Sequence, residues 1–212
     1  MKKMSLSLLT LFFVSICTFA EPIHLIPQPV SVTEKPGRFT IDAGVRLRVE
    51  DPSLQPAAAW FSTQMGIAVG KGKREIILSL PRDKNILGKE GYSMSITPSA
   101  IHITANEPAG AFYGLQTLLQ LLPVDTKADG KWVPCAGITD YPRFPYRGMH
   151  LDVSRHFFPV SFIKKFIDLL ALYRFNTFHW HLVDGAGWRL QIKKYPLLTD
   201  VAAWRTQADL MQ

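Results

Sequence analysis

The stretch Tyr146-Arg147-Gly148-Met149-His150-Leu151-Asp152-Val153-Ser154-Arg155-His156-Phe157, carried on to Val183-Asp184, decides how this chain folds. Gly148 to Val153 is a mostly apolar run, suited to a strand covered on both faces. After Pro159, the residues Phe162, Ile163, Phe166, Ile167, Leu170 and Tyr173 recur at helical spacing, with Ser161 placed to cap the helix. Phe175 to Val183 is aromatic and β-branched, the makings of a second buried strand. Strand, helix and strand at these lengths predict a parallel βαβ unit, right-handed by the crossover rule.

In parallel α/β folds the loops that follow the strands build the site. Two loops qualify: Ser154-Arg155-His156, and Asp184-Gly185-Ala186-Gly187-Trp188. Arg155 offers a planar fork of donors, suited to two vicinal hydroxyls or a carboxylate. Asp184 offers a carboxylate that can orient a histidine or hold a hydroxyl, and its flanking glycines allow close approach. A simple ion pair between Arg155 and Asp184 is the competing reading. His150 and Asp152 share one face of the first strand, and His179 and His181 share one face of the second. They could ligate a divalent metal, but they fall within the strands and not at their ends. The preferred reading is of polar core residues bonded between neighbouring strands, with no metal.

Upstream, Val45 to Val49 alternates as a half-buried strand, and Leu54 to Met65 is a helix with Ala57, Ala58, Trp60 and Phe61 on its apolar side. Glu75 to Leu80, Tyr92 to Thr97 and Ile101 to Ala105 read as strands, the last two an antiparallel hairpin turned at Pro98-Ser99. A stronger helix follows, capped by Asn106 or Glu107, started by Pro108 and ended by Pro123. Asp125 to Pro134 reads as a loop and Ile138 to Pro145 as a linker, which sets a boundary near Tyr141. The expected organisation is a signal peptide over 1–20, an α+β domain over 21–141 with its helices on one sheet face, and a second unit over 142–212.

The signal peptide follows from Lys2 and Lys3, the apolar run Leu6 to Phe19, and the small-x-small site ending at Ala20. Cys17 raises a lipoprotein alternative, which the bulky Ile16 before it disfavours. Export to the periplasm or the cell exterior is expected, and no other segment is apolar enough to span a bilayer. Cleavage leaves Cys135 alone, so the mature fold must rest on core burial. A composition of 47% hydrophobic and 19% charged residues over 212 positions excludes wholesale disorder. The charge of +7 falls to +5 once Lys2 and Lys3 are removed, and the remaining basic clusters are short and scattered. A nucleic-acid surface would need a denser stripe.

Three motifs in order resemble the family 20 glycoside hydrolases, the β-N-acetylhexosaminidases: Arg147 to Pro159, Tyr173 to Asp184, and Gly187-Trp188-Arg189-Leu190-Gln191-Ile192-Lys193-Lys194-Tyr195-Pro196. Ala111 to Gln120 resembles the last helix of that family's small N-terminal domain. The resemblance implies an α+β domain followed by a TIM (β/α)8 barrel. It implies exo-hydrolysis of a terminal GlcNAc or GalNAc residue on a glycan, by a substrate-assisted retaining route without a cofactor. On the matching positions, Arg155 binds the 3- and 4-hydroxyls of the terminal sugar. Asp184 acts through a histidine to tune the general acid. The family commonly has a second acid after that aspartate; this chain has Gly185 and Ala186, a departure that touches the loop contacts and not the role of Asp184.

The family's general acid is a Glu that follows an Asp, and no Asp-Glu pair occurs here; no glutamate at all follows Glu107. Tyr146 to Gln212 is 67 residues, whereas a TIM barrel takes about 250. The expectation is therefore the truncated N-terminal portion of a hexosaminidase, inactive alone. A non-catalytic sugar-binding or scaffold fragment is the alternative.

Overall fold

A computed structural model of the chain describes residues 23–81, 87–125, 127, 130–185 and 187–204. The expected signal peptide over 1–20, Cys17 included, lies outside the described residues, as does Ala186. Strands β1 (Ser31–Thr40), β2 (Val45–Val49), β3 (Arg74–Ser79), β4 (Tyr92–Ile96), β5 (Ala100–Ala105) and β6 (Trp132–Asp140) form one sheet in the order β1-β6-β4-β5-β3-β2. β2, β3 and β5 run parallel; the β4–β5, β4–β6 and β1–β6 pairs are antiparallel, so the hairpin at Pro98-Ser99 is present.

Alternation sorts the two faces of this sheet. Tyr92, Met94 and Ile96 of β4 and Ile101, Ile103 and Ala105 of β5 are buried, while Ser93, Ser95, His102 and Thr104 lie opposite on a polar groove. Helices α1 (Gln55–Met65) and α2 (Pro108–Gln120) cover the apolar face, and Leu54, Ala58, Phe61, Leu115 and Leu118 complete the core. Asp51 caps the 3-10 turn over Pro52–Leu54 that leads into α1, accepting the Ser53 N–H at 2.9 Å, while α1 itself begins without a side-chain cap. Glu107 holds the cap position of α2 without a side-chain capping bond; Asn106 instead donates to the Gly88 carbonyl at 2.9 Å.

β6 corrects the sequence reading, which gave Asp125–Pro134 to a loop and Ile138–Pro145 to a linker. Val133, Cys135, Ala136 and Ile138 are buried in this strand. Pro134, which has no N–H to give, pairs with Arg38, where the β1–β6 register shifts. The shift falls over Pro36-Gly37, with Gly37 at φ +100°, so a turn signal in the sequence becomes a bulge inside β1.

Beyond Tyr141, β7 (Gly148–Asp152) and β8 (Thr177–His181) form a parallel pair joined by α3 (Val160–Leu172). Pro159 is the residue that caps α3, so Ser161 sits inside the first turn and is no cap. Phe166 of α3 meets Phe178 of β8 with ring centroids 5.5 Å apart, which puts the helix on the Phe178 and Trp180 face. No β7 or β8 residue is fully buried, and Met149 and Trp180 are exposed, contrary to strands covered on both faces. The reason is that α3 shields only part of the Met149, Phe178 and Trp180 face, and no described element packs on the His150 and His179 face. Short β9 (Val183–Asp184) and β10 (Gly187–Trp188) pair antiparallel, and a short helix α4 (Leu197–Asp200) follows. Among the described residues there is no closed barrel, and no helix is long and apolar enough to cross a membrane.

A buried polar junction ties the second unit to the first sheet. Arg174, 5% exposed, pairs through Nη1 with the Asp140 carboxylate at the end of β6 and donates from Nη2 to Thr117 Oγ1 at 2.8 Å. The Tyr92 hydroxyl shares that threonine. Burial pushes the Asp140 carboxyl above its ordinary value, with Arg174 pulling it part of the way back. Arg147 donates to Glu90 at 2.8 Å and, from Nε, to the Arg174 carbonyl at 2.7 Å.

Two outcomes follow from this packing. In α2, a Cβ on Gly114 would stand 2.6 Å from Ile103 Cγ2 and 3.2 Å from the Tyr92 ring. Gly114→Ala is expected to lower unfolding stability by ~1–3 kcal/mol in urea titrations. Arg174→Ala strands the buried Asp140 carboxylate and is expected to cost ~3–5 kcal/mol. A raised carboxyl contributes most below the ordinary value and loses its contribution as pH rises through the native one. Arg174→Ala raises Asp140 further, so its cost should be larger at pH 7 than at pH 4.

Candidate active site

β7 ends on Asp152, and the chain turns at once into Val153-Ser154-Arg155. Asp152 makes that turn: Oδ1 accepts the Ser154 N–H at 2.9 Å and the Arg155 N–H at 3.1 Å. Its other oxygen takes Arg155 Nη1 at 2.7 Å. Burial works upward on this carboxyl, but the Arg155 backbone N–H, the Arg155 guanidinium and the Ser154 N–H outweigh it and hold it at about 2.

The second strand end meets the same arginine. Asp184 Oδ2 lies 2.8 Å from Arg155 Nη2 and 3.3 Å from His181 Nε2. The His181 nitrogen is also 3.0 Å from the Val183 carbonyl, and the Gly185 N–H donates to Asp184 Oδ1 at 2.6 Å. The two loops are fastened to each other. Ser154, fully buried, donates from Oγ to the Gly187 carbonyl at 2.9 Å. A Cβ on Gly187 would stand 2.8 Å from Arg189 Nη2 and 3.2 Å from the Ser154 carbonyl, so a larger residue there would displace the Arg189 guanidinium.

Arg155 and Asp184, the two residues singled out from the sequence, are thus in contact, and the ion pair weighed as their competing reading is present. Its partners are about half and two-fifths exposed, so the pair stands at the surface of the strand ends. The histidines differ from expectation. His150 and His179 sit opposite each other in register with rings 4.7 Å apart, yet both are exposed, and no bond joins them. They lie on the sheet face that α3 does not cover and are not core residues. Among the described residues no group of three or more His, Cys, Asp or Glu is gathered to hold a metal.

Two residues were missed. Asp152 was read with His150 and not with the site, although Asp followed by Ser and Arg two and three places on is an Asx-turn signal. Arg189 binds the first loop from below, donating to the Val153 carbonyl at 3.1 Å and the Ser154 carbonyl at 3.3 Å, with its guanidinium 5.8 Å over the Phe157 ring. Nothing in the local spacing signalled that role.

Chemically, a planar guanidinium between two carboxylates at strand ends is suited to neighbouring hydroxyls, which need both donors and acceptors. It is poorly suited to protonating a leaving group. Asp152, held at about 2, carries no proton to give near neutrality.

Comparison with known proteins agrees with the motifs. Residues 144–211 match the model for the glycosyl hydrolase family 20 catalytic domain, and residues 22–141 that for domain 2 of the same family. The chain is 36% identical over 210 residues to a beta-hexosaminidase of Porphyromonas gingivalis, covering 92% of this chain and 27% of the relative. A beta-hexosaminidase of Vibrio furnissii is 36% identical over 200 residues, covering 92% and 32%. The GH20 exo beta-N-acetylglucosaminidase of Vibrio harveyi, solved in complex with N-acetylglucosamine, superposes with a TM-score of 0.76 at 36% identity, covering 85% of this chain and 29% of that one. The Bacteroides fragilis beta-N-acetylhexosaminidase gives 0.75 at 34%, covering 85% and 37%. The chain thus spans about a third or less of the length of the curated relatives named here. Two family models that together take in nearly all of the chain, and relatives at this identity, show that it belongs to glycosyl hydrolase family 20.

Proposed function

We propose that this chain carries the sugar-gripping part of a β-N-acetylhexosaminidase site, acting on glycans that end in N-acetylhexosamine. The observation that carries the reading is the junction of Arg155 and Asp184 at 2.8 Å across two neighbouring strand ends. In the proposed reaction Arg155 holds the 3- and 4-hydroxyls of the terminal sugar. The sugar's own acetamido oxygen attacks the anomeric carbon, and a general acid protonates the departing oxygen. Asp184 tunes that acid through a histidine. Gly185 beside it has nothing within 4 Å of where a Cβ would stand, which leaves an approach for ligand.

We further propose that β7-α3-β8 is the opening βαβ unit of a (β/α)8 barrel. The exposed His150 and His179 on one face of the strand pair, and the exposed Phe162, Ile167 and Leu169 on α3, support this: such surfaces belong against neighbouring strands and helices. The domain division proposed with it is 21–141 and 142–212, after a signal peptide over 1–20 that directs export.

These 212 residues hold no Asp-Glu pair, and the chemistry cannot proceed without a proton for the leaving group. The purified chain is therefore expected to release no chromophore from an aryl N-acetylglucosaminide. Turnover that Asp184→Ala abolishes would overturn that expectation. Binding is a separate matter: titration with N-acetylglucosamine should give saturable binding that Arg155→Ala removes, and equal binding by both proteins would count against the assignment. For export, the protein recovered from a secreting host should begin at Glu21 by mass and N-terminal sequencing, and an intact Met1 would rule out the cleavage.

A further inference from the structure

We infer that Asp152 is a positioning residue of the sugar site: it orients the Arg155 guanidinium, and thereby sets how strongly the chain holds the hydroxyls of its ligand. This rests on the reading that Arg155 binds those hydroxyls, and it concerns a residue that the motif comparison leaves without a role.

The geometry carries the assignment in three steps. Asp152 is the last residue of β7, so its backbone is fixed by the parallel ladder, with Asp152 opposite His181. One carboxylate oxygen then fixes the backbone of the loop, accepting from both Ser154 and Arg155 at 2.9 and 3.1 Å. The other oxygen fixes the side chain that the loop carries, taking Arg155 Nη1 at 2.7 Å. One rigid group therefore sets both where Arg155 starts and where its fork ends.

The second carboxylate at the arginine does a different job. Asp184 meets Nη2 from β9, and it also approaches His181. Arg155 has several rotatable bonds and its side chain is about half exposed, so a single contact would leave the fork free to swing about that contact. Two carboxylates on two terminal nitrogens remove that freedom before ligand arrives. Preorganisation of this kind raises affinity without adding a contact to the ligand. The charge of Asp152 is available throughout the neutral range, because the same bonds hold its carboxyl well below the ordinary value. Ser154, buried and bonded to the Gly187 carbonyl, keeps the turn from moving away from the second loop.

The conservative variant separates this role from a structural one. Asp152→Asn keeps an oxygen for the two backbone N–H groups, so the turn is retained; it loses only the charged partner of Nη1. The full chain would be titrated with N-acetylglucosamine and with its 4-deoxy analogue as wild type, Asp152→Asn and Arg155→Ala, with melting temperature followed in parallel. The expected result is about tenfold weaker binding of N-acetylglucosamine by Asp152→Asn, the worth of one charge-assisted bond, with an unchanged melting temperature. The losses from Asp152→Asn and from removing the 4-hydroxyl should be less than additive, because both act through the Arg155 contact. A structural defect would weaken both ligands by the same factor.

Wild-type affinity in Asp152→Asn, with binding lost in Arg155→Ala, overturns the inference and leaves the sugar-site reading intact. Equal binding by wild type and Arg155→Ala, or none by wild type, overturns the sugar-site reading and the inference with it. Strictly additive losses also overturn the inference.

Discussion

The Arg174–Asp140 pair is the interaction on which the arrangement of this molecule depends. Asp140 is the last residue of a strand within the first sheet, and Arg174 stands in the turn between α3 and β8 with φ at +62°. Both are almost wholly buried, and the guanidinium also reaches Thr117 on α2. A buried ion pair of this sort is weak evidence for extra stability, because desolvation takes back much of the Coulomb gain. It is strong evidence for geometry, since a displaced partner would leave an uncompensated charge in the core. Arg147 strengthens that constraint by bonding Glu90 in the first unit and the Arg174 carbonyl in the second. Asn176 joins it, bonding Glu90 at 3.1 Å and the Arg147 N–H at 3.0 Å. The bottoms of β7 and β8 are thereby pinned to the first sheet.

The opposite ends of those strands carry the candidate site. With the lower ends fixed and a one-to-one register from Gly148–Thr177 to Asp152–His181, the upper ends are delivered side by side. Asp152, Arg155 and Asp184 meet there because the ladder has already aligned them. The division is physical: buried charge sets the frame at one end, and exposed charge gathers at the other. The first sheet supplies no described group to these strand ends.

Much of this was legible in the chain. Val45 to Val49, the Pro98-Ser99 hairpin, the Leu-rich helix after Pro108 and the βαβ unit all announce themselves through period two or period 3.6. The strand β6 did not, because Pro134 and Gly137 carry turn signals that the bulged β1 neighbour absorbs. The cap of α3 was misassigned for a related reason: Ser161 is a good capping residue, but Pro159 already sets the entry to the helix. The histidines looked like core residues because they sit in apolar strands, and a strand's composition does not say whether both of its faces are covered.

Residue types and spacing by themselves determined the class of each unit and the pairing of β7 with β8 across α3, and they pointed to Arg155 and Asp184 as the candidate site residues. Those properties are local or rest on motifs contiguous in sequence. Only the tertiary structure decided that Arg189 fastens the first loop. It also decided that Arg174, an unremarkable residue in the sequence, is the buried hinge-pin of the whole arrangement. Those facts depend on contacts between residues up to 57 positions apart. Such contacts are fixed by strand register and burial, which no single stretch of sequence encodes.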